Sequence, residues 1–347
     1  MTLPETVSIL RWLHPGAPRI RPAVALRPLF GGAVRHFLAL ADLTPGELRG
    51  LIDRAEELRR PPDSSARVQP LAGQSLAMVF AKPSLRTRVS FEVAMGRLGG
   101  AAIYLSPAEI GLGSREAPKD VARVLSRYVD GIMARVFGHE VVEELAANAT
   151  VPVINGLSDL YHPCQALADL LTVRREMGRL KGIRLAYIGD GNNVAHSLLV
   201  GGSMAGMDVV VIHPPGFAPR EDVVDRGRRL ASSTGGRVAT TTDVEAVAGA
   251  DVVYTDVWAS MGQEEQARHR RRVFAPYRVD AALVARASPG AIVLHCLPAH
   301  RGDEITDDVL DGPQSRVFDQ AENRMHAQMA LLAWLLGGWS LKQLTAP

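Results

Sequence analysis

The sequence predicts an α/β protein of two domains, each a parallel β-sheet flanked by helices. Three observations carry this expectation. From Val34 onward, short apolar runs alternate with helical patterns. The runs are apolar at consecutive positions, the pattern of strands buried on both faces of a parallel sheet. One long helical stretch, from about Pro163 to Met177, separates the first four runs from the last five, in a chain of 347 residues that suffices for two cores.

Residues 1 to about 33 stand outside this texture. They hold Arg11, Arg19, Arg21 and Arg27 against the single acid Glu5, with five prolines and no sustained period. Arg-rich, acid-poor composition is one mark of a transit peptide, but frequent proline and the lack of an amphipathic face make a poorly packed extension the expectation. Thr44-Pro45-Gly46-Glu47 then supplies an N-cap, a proline at the first helical position and a glutamate at the third, so a helix runs to about Arg60. Ser75–Phe80, Ala101–Leu105, Gly131–Val136 and Val151–Ile154 read as the strands of one sheet. Ile183–Gly189, Asp208–Ile212, Arg237–Thr240, Asp251–Thr255 and Ala291–Cys296 read as those of a second. A last helix opens near Glu322-Asn323-Arg324 and ends near Leu336. The division is thus an extension at 1–33, a first domain at 34–177 and a second at 178–318.

Composition narrows the function. At 47% hydrophobic and 22% charged, with Lys+Arg 39 against Asp+Glu 37, the chain is ordinary globular protein and not a general nucleic-acid binder. Cys164 and Cys296 are too few for a disulfide framework or a four-cysteine zinc site, and they fit a reducing cytosol. The longest apolar run, Met329 to Leu336, is far short of the ~20 residues of a membrane span.

Parallel sheets bind ligands beyond the carboxyl ends of their strands, so the polar residues collected there are the candidates. After the first strand comes Lys82-Pro83-Ser84-Leu85-Arg86-Thr87-Arg88. Ser84 sits at an N-cap position, and Val89, Val93 and Leu98 offer the following helix an apolar face. A helix N-terminus suits a phosphate, and two arginines there oppose the helix dipole unless an anion arrives. Arg88 and Glu92, spaced i, i+4, are also suited to a plain surface pair. Arg135 ends the third strand, where it serves an anion or pairs with Glu140 or Glu143. His162-Pro163-Cys164-Gln165 opens the long helix, with His162 either facing a ligand together with Gln165 or capping the helix.

Gly189-Asp190-Gly191-Asn192-Asn193 imitates a dinucleotide fingerprint, but Val194 occupies the third glycine position and His213 ends the next strand where an acid would be wanted. A nicotinamide cofactor is therefore not expected. Asp256, Ser260 and Met261 lie in the turn after the eighth strand. Cys296, after the ninth, has three readings: a thiol of lowered pKa near cations, a nucleophile paired with histidine, or an inert buried thiol. Arg324 is a further cation for the same anion.

Taken in order, Ser-x-Arg-Thr-Arg, His-Pro-x-Gln, Asp-Gly-Asn-Asn, Asp-x-x-x-Ser-Met-Gly and His-Cys-Leu-Pro resemble the aspartate/ornithine carbamoyltransferase family, from about Val34 to the C-terminus. The Ser-Met-Gly and His-Cys-Leu-Pro motifs mark its ornithine-type members. The resemblance implies that the last helix, 319–347, returns to complete the first domain. It implies a homotrimer and transfer of the carbamoyl group of carbamoyl phosphate to the δ-amine of L-ornithine, with no metal or organic cofactor. By position, Ser84, Leu85 (through its backbone), Arg86, Thr87 and Arg88 hold the phosphate. Arg135, His162, Pro163, Cys164, Gln165 and Arg324 surround the carbamoyl group, with Cys296 and Leu297 at the reaction centre. Asn193, Asp256, Ser260 and Met261 hold ornithine, and Arg86, Arg135, His162, Asp256 and Cys296 carry the chemistry, with Cys296 or Asp256 as proton acceptor. Two positions depart from the family pattern: Leu85 replaces a threonine, and Gly111 replaces a polar residue that reaches a neighbouring subunit's site. The competing expectations are another amine, such as putrescine or an N-acylated ornithine, and a non-enzymatic anion binder.

Overall fold

The computed structural model describes residues 34–59, 69–259 and 267–341. The extension at 1–33, the residues 342–347 and the expected ornithine contacts Ser260 and Met261 lie outside the described residues.

Helix α1 (Pro45–Arg59) begins at the expected capping box: Glu47 N–H donates to Thr44 Oγ1 at 3.2 Å, and the Glu47 carboxylate accepts from Thr44 N–H at 2.8 Å. Strands β1 (Ser75–Phe80), β2 (Ala101–Leu105), β3 (Gly131–Arg135) and β4 (Val153–Leu157) form a parallel sheet in the order β2-β1-β3-β4. Their connections are α2 (Leu85–Arg97), the short α3 (Pro107–Ile110), α4 (Pro118–Leu125) and α5 (His139–Asn148). Helix α6 (Pro163–Met177) leads to β5 (Arg184–Ile188), β6 (Asp208–Ile212), β7 (Arg237–Thr241), β8 (Val252–Thr255) and β9 (Ile292–His295). These are also parallel, in the order β7-β6-β5-β8-β9. Helices α7 (Asn193–Met204), α8 (Glu221–Thr234), α9 (Ala267–Phe274), α10 (Ala281–Val284) and α11 (Asp307–Leu310) lie between them in sequence, and α12 (Val317–Leu335) follows the last strand.

Both faces of the central strands are covered, so β1, β3, β5, β6 and β8 are buried at nearly every position, whereas the edge strands β2 and β7 stay partly exposed. Leu185, Tyr187, Val209, Val211 and Tyr254 turn into a central core shared with α6 and α12. Ala186, Ile188, Val210 and Val253 turn into a separate cluster on the other side. Helix α12 packs on α1, α2 and α6, and so lies with the first sheet although it comes last in the chain.

Two expectations need correction. The fourth strand starts and ends later than Val151–Ile154, because Pro152 has no N–H to pair and the strand continues through Asn155-Gly156. That dipeptide reads as a turn, yet both residues are buried, and a side chain at Gly156 would meet Met133 Sδ at 2.4 Å. The buried face of α2 is Thr87, Phe91, Ala94 and Met95. Val89 and Val93 stand exposed with Leu85 on the opposite side, and only Leu98 of the expected face is buried.

The strand orders explain where a site forms. In the first sheet the chain leaves β1 for β2 on one side, then returns to β3 on the other, which opens a crevice between β1 and β3. In the second sheet the reversal falls between β5 and β8. The motifs at 84–88, 135, 189–193 and 256 sit at the carboxyl ends of these four strands.

Candidate active site

Ser84 is the N-cap of α2, with extended backbone and a side chain that accepts from Thr87 N–H at 3.3 Å. This puts Arg86 in the first turn and buries Thr87, whose hydroxyl becomes the meeting point of the site. Arg324 Nη2 donates to Thr87 Oγ1 at 2.7 Å, Arg135 Nη1 at 3.5 Å, and Ser84 Oγ lies at 3.1 Å. A hydroxyl has two lone pairs, so three donors on one oxygen leave the cations with more donor capacity than Thr87 can satisfy. Among the described residues neither Arg135 nor Arg324 pairs with a carboxylate, and Arg135 takes neither Glu140 nor Glu143 as a partner.

The electrostatics follow. Burial, then the charges of Arg324 and Arg86, push the Arg135 guanidinium down to about 9. Arg324 is likewise lowered, first by its burial. His162 is lowered well below its usual value by burial, then by Arg324, Arg135, Lys82 and Arg86, so the imidazole is neutral near pH 7. Its side chain makes no capping bond to α6; its N–H donates to Ser197 Oγ of α7 at 2.8 Å. Gln165 accepts from Arg324 Nη1 at 3.3 Å.

Two expected members fall outside this cluster. Arg88 bonds Glu92 at 2.9 Å and stacks over the Tyr104 ring at 3.9 Å, because the i, i+4 spacing turns it along the exposed face of α2. Cys164 points into the core at the Asn155 carbonyl, 3.5 Å away, and burial pushes its thiol up to about 12. Pro163 fills the first helical position of α6, and the Leu85 side chain is exposed.

The second group gathers at β5, β8 and β9. Asn192 caps α7, with its side chain accepting from Val194 N–H and Ala195 N–H, and its amide donates to Asp256 Oδ2 at 2.8 Å. Cys296 Sγ donates to Asp256 Oδ1 at 3.0 Å. Of the three readings of Cys296, the surroundings favour a protonated thiol: burial, then the Asp256 charge, raise it well above its usual value. Asn193 donates to the Ser158 carbonyl at 2.5 Å, bridging toward the first sheet. Gly191 owes its identity to packing, since a Cβ there would lie 2.1 Å from Pro219 N. Leu297 takes a positive φ of 56° and donates its N–H to His295 Nδ1 at 2.9 Å.

Asp256, His295 and Cys296 each hold one metal-type donor atom within 4.8 Å of the others. Those donors are engaged: the thiol with Asp256, and the two His295 nitrogens with Leu297 N–H and, at 3.1 Å, Glu304.

Three residues escape a reading of motifs: Glu304, Arg270 and Asp169. His295 and the fully buried Glu304 fix the turn carrying Leu297. Arg270 bonds Asp190 and the Trp258 carbonyl, both at 2.6 Å, holding the turn after β5 to the one after β8. Asp169, one turn beyond Gln165, accepts from Gln165 at 2.8 Å and from Gln320 at 2.6 Å, and burial pushes its carboxyl up to about 7. A lone acid inside the apolar stretch Ala166 to Leu171 was the available signal for Asp169.

Fold and site together define an enzyme of two parallel sheets that sets a buried cationic cluster against an acid–thiol pair. The comparisons name it more closely. Residues 35–175 match the model of the aspartate/ornithine carbamoyltransferase carbamoyl-P binding domain, and residues 181–335 match that of the Asp/Orn binding domain of the same family. The ornithine carbamoyltransferase of Acidothermus cellulolyticus is 57% identical over 305 residues, covering 87% of this chain and 97% of that protein. The anabolic ornithine carbamoyltransferase of Pyrococcus furiosus is 53% identical over 307 residues, 88% of this chain and 98% of that one. A solved structure of ornithine carbamoyltransferase from Pyrococcus furiosus superposes with a TM-score of 0.84 at 52% identity, covering 89% of this chain and 99% of that one. The chain belongs to the aspartate/ornithine carbamoyltransferase family.

Proposed function

We infer that the chain transfers the carbamoyl group of carbamoyl phosphate to the δ-amine of L-ornithine, giving L-citrulline and phosphate. The observation that carries this reading is the convergence of Arg86, Arg135, Arg324 and neutral His162 around Thr87 at the N-terminus of α2. Family membership and the ornithine carbamoyltransferase relatives support it. Arg86, with the free N–H groups of the first turn, takes the phosphate that leaves. Arg135 and His162 donate to the carbamoyl oxygen as negative charge grows there. The amine nitrogen attacks the carbamoyl carbon, the bond to the phosphate oxygen breaks, and the amine gives up a proton. Asp256 is its acceptor, because the thiol of Cys296 is held protonated and itself donates to that carboxylate.

The same reading assigns the donor substrate to residues 34–177 with the returning C-terminal helix, and the acceptor to 178–318. It includes a homotrimer, supported by the exposed apolar stripe of Leu85, Val89 and Val93 on α2 and Ile103 on the adjacent edge strand. It also includes a reducing compartment, the cytoplasm, supported by two free thiols. Among the described residues no helix is long and apolar enough to cross a membrane.

The test is product formation from carbamoyl phosphate with ornithine, putrescine and N-acetylornithine side by side. Citrulline from ornithine, with the other two at least tenfold slower, is the expected result. Preference for either of the others, or turnover of none, overturns the reading.

A further inference from the structure

The buried polar groups that this chemistry leaves unused meet at Asp169. We propose that Asp169 is a positioning residue for the carbamoyl phosphate site, acting through the amide of Gln165, and that the same carboxylate ties this site to β9 through Gln320. The proposal rests on the assignment of carbamoyl phosphate to the Thr87 cluster.

Asp169 is fully buried on α6. Its Oδ1 accepts from Gln165 Nε2 at 2.8 Å and from Gln320 Nε2 at 2.6 Å, and its Oδ2 accepts from Tyr254 Oη at 3.2 Å. Oδ1 accepts whether or not Oδ2 carries a proton, so each glutamine must turn its NH₂ inward and its carbonyl outward. The two carbonyls then point in different directions. Gln165 Oε1 faces Arg324, whose guanidinium only donates, at 3.3 Å. Gln320 Oε1 receives the N–H of His295, the last residue of β9, at 2.9 Å. One acid therefore sets the polarity of two amides. The first presents an acceptor beside the cations, where the NH₂ of a carbamoyl group seeks one. The second holds the strand from which Cys296 and Leu297 emerge. An asparagine could keep its oxygen in the Oδ1 place and turn its NH₂ to Tyr254 Oη, but a leucine leaves neither glutamine an acceptor, so each is free to flip. A flipped Gln165 would set its NH₂ against Arg324, donor against donor.

The experiment is a double-mutant cycle on the full chain, with steady-state kinetics in both substrates and thermal unfolding. Asp169→Leu is expected to raise the KM for carbamoyl phosphate about tenfold, as for loss of one hydrogen bond to a charged group, while the KM for ornithine stays within twofold. In a Gln165→Leu background, Asp169→Leu should add nothing to the KM for carbamoyl phosphate. Thr172→Val serves as the structural control. It removes another buried bond between α6 and α12, that of Thr172 Oγ1 with Asn323 at 2.9 Å, and should lower the Tm without moving either KM. If Asp169→Leu fails to fold, Asp169→Ala takes its place and must show the same split and the same non-additivity. Additive losses, an unchanged KM for carbamoyl phosphate, or equal rises in both KM values with a fallen Tm would overturn the inference. A wild-type chain that makes no citrulline would instead overturn the reaction itself, and this inference with it.

Discussion

At the ends of β1 and β3, buried guanidiniums and a neutral imidazole crowd one threonine hydroxyl, and neither Arg135 nor Arg324 has a carboxylate partner among the described residues. At the ends of β5, β8 and β9, an acid, an amide and a thiol have already paired with one another. The first arrangement is costly to the free protein, since like charges are held close with little water between them. It is built on a helix N-terminus and on α6 and α12, rigid elements with a common core. The second is at ease without a ligand and must exchange internal bonds for bonds to substrate. Anion binding therefore relieves a cost that the fold already carries, whereas amine binding replaces one set of bonds by another. Substitution should separate the two sides: loss of a cation lowers activity without lowering stability, and loss of the acid lowers both.

The largest effect is expected at Arg86. Arg86→Ala should reduce kcat/KM by about 10²–10³-fold, the usual loss when one preorganised charge-stabilising donor is removed. Its Tm should hold or rise, because Arg135 and Arg324 each lose a like-charged neighbour. Steady-state kinetics and thermal unfolding of the same preparation check both halves. A drop in Tm accompanying the loss of activity would break the comparison, since Arg86 would then be a structural partner and not an uncompensated charge.

A smaller effect is expected on the amine side, and it is graded. Asp256→Asn removes the proposed acceptor, so kcat should fall about 10²-fold, with some loss of Tm because Asn192 and Cys296 lose their shared partner. Cys296→Ser keeps a donor to Asp256 and should cost about tenfold. The KM for carbamoyl phosphate should barely move in either variant. Quenched single turnovers with carbamoyl phosphate alone should release no stoichiometric phosphate and leave no carbamoylated Cys296. A serine variant as damaged as the Asp256 variant, or a carbamoyl-thiol found by mass spectrometry, would return the thiol to the role of nucleophile.

The two sides also differ in how far they could be read from sequence. Strand ends and helix caps are local: Ser84, Thr44-Glu47, Pro163 and the consecutive apolar runs announce themselves, and they put Arg86, Arg135, His162 and Asp256 at strand ends and helix starts. Charge state is not local. The charge state of Cys296, left open by the sequence, depends first on how far the thiol is enclosed and then on Asp256, which stands forty residues earlier and reaches it only across β8 and β9. Arg88 shows the converse: its i, i+4 partner Glu92 is local, and the two pair along the exposed face of α2 as their spacing allows. Val89 and Val93 form an apolar stripe as expected, but the helix buries the other side, and periodicity alone does not say which of two stripes meets the chain's own core. Asn155-Gly156 carries a turn signal overridden by the close approach of Met133. Glu304 serves other side chains instead of a motif, and Asp169 shows in the sequence only as a lone acid within an apolar stretch.

The smallest effect tests the crowding of charge itself, through pH. The native imidazole of His162 is lowered from 6.5 by burial and by four neighbouring cations. Between its native value and 6.5 the unfolded chain binds the extra proton and the native one does not. Stability therefore rises with pH across that window and is lost as pH falls below 6.5. His162→Gln removes this share. Unfolding free energies from urea titrations at pH 8 and pH 5 should differ less for the variant than for the wild-type chain. The raised Asp169 carboxyl has the opposite slope, its contribution being greatest in acid and lost as pH rises through about 7, but it is common to both proteins and drops out of the difference. Saturating inorganic phosphate sharpens the test. An anion among Arg86, Arg135 and Arg324 offsets the field that disfavours a protonated His162, so the wild-type loss toward pH 5 should shrink, while the variant should respond less. Parallel curves for the two proteins, with and without phosphate, would mean that the cations do not press on the imidazole, and the contrast between a strained anion side and a self-satisfied amine side would have to be abandoned.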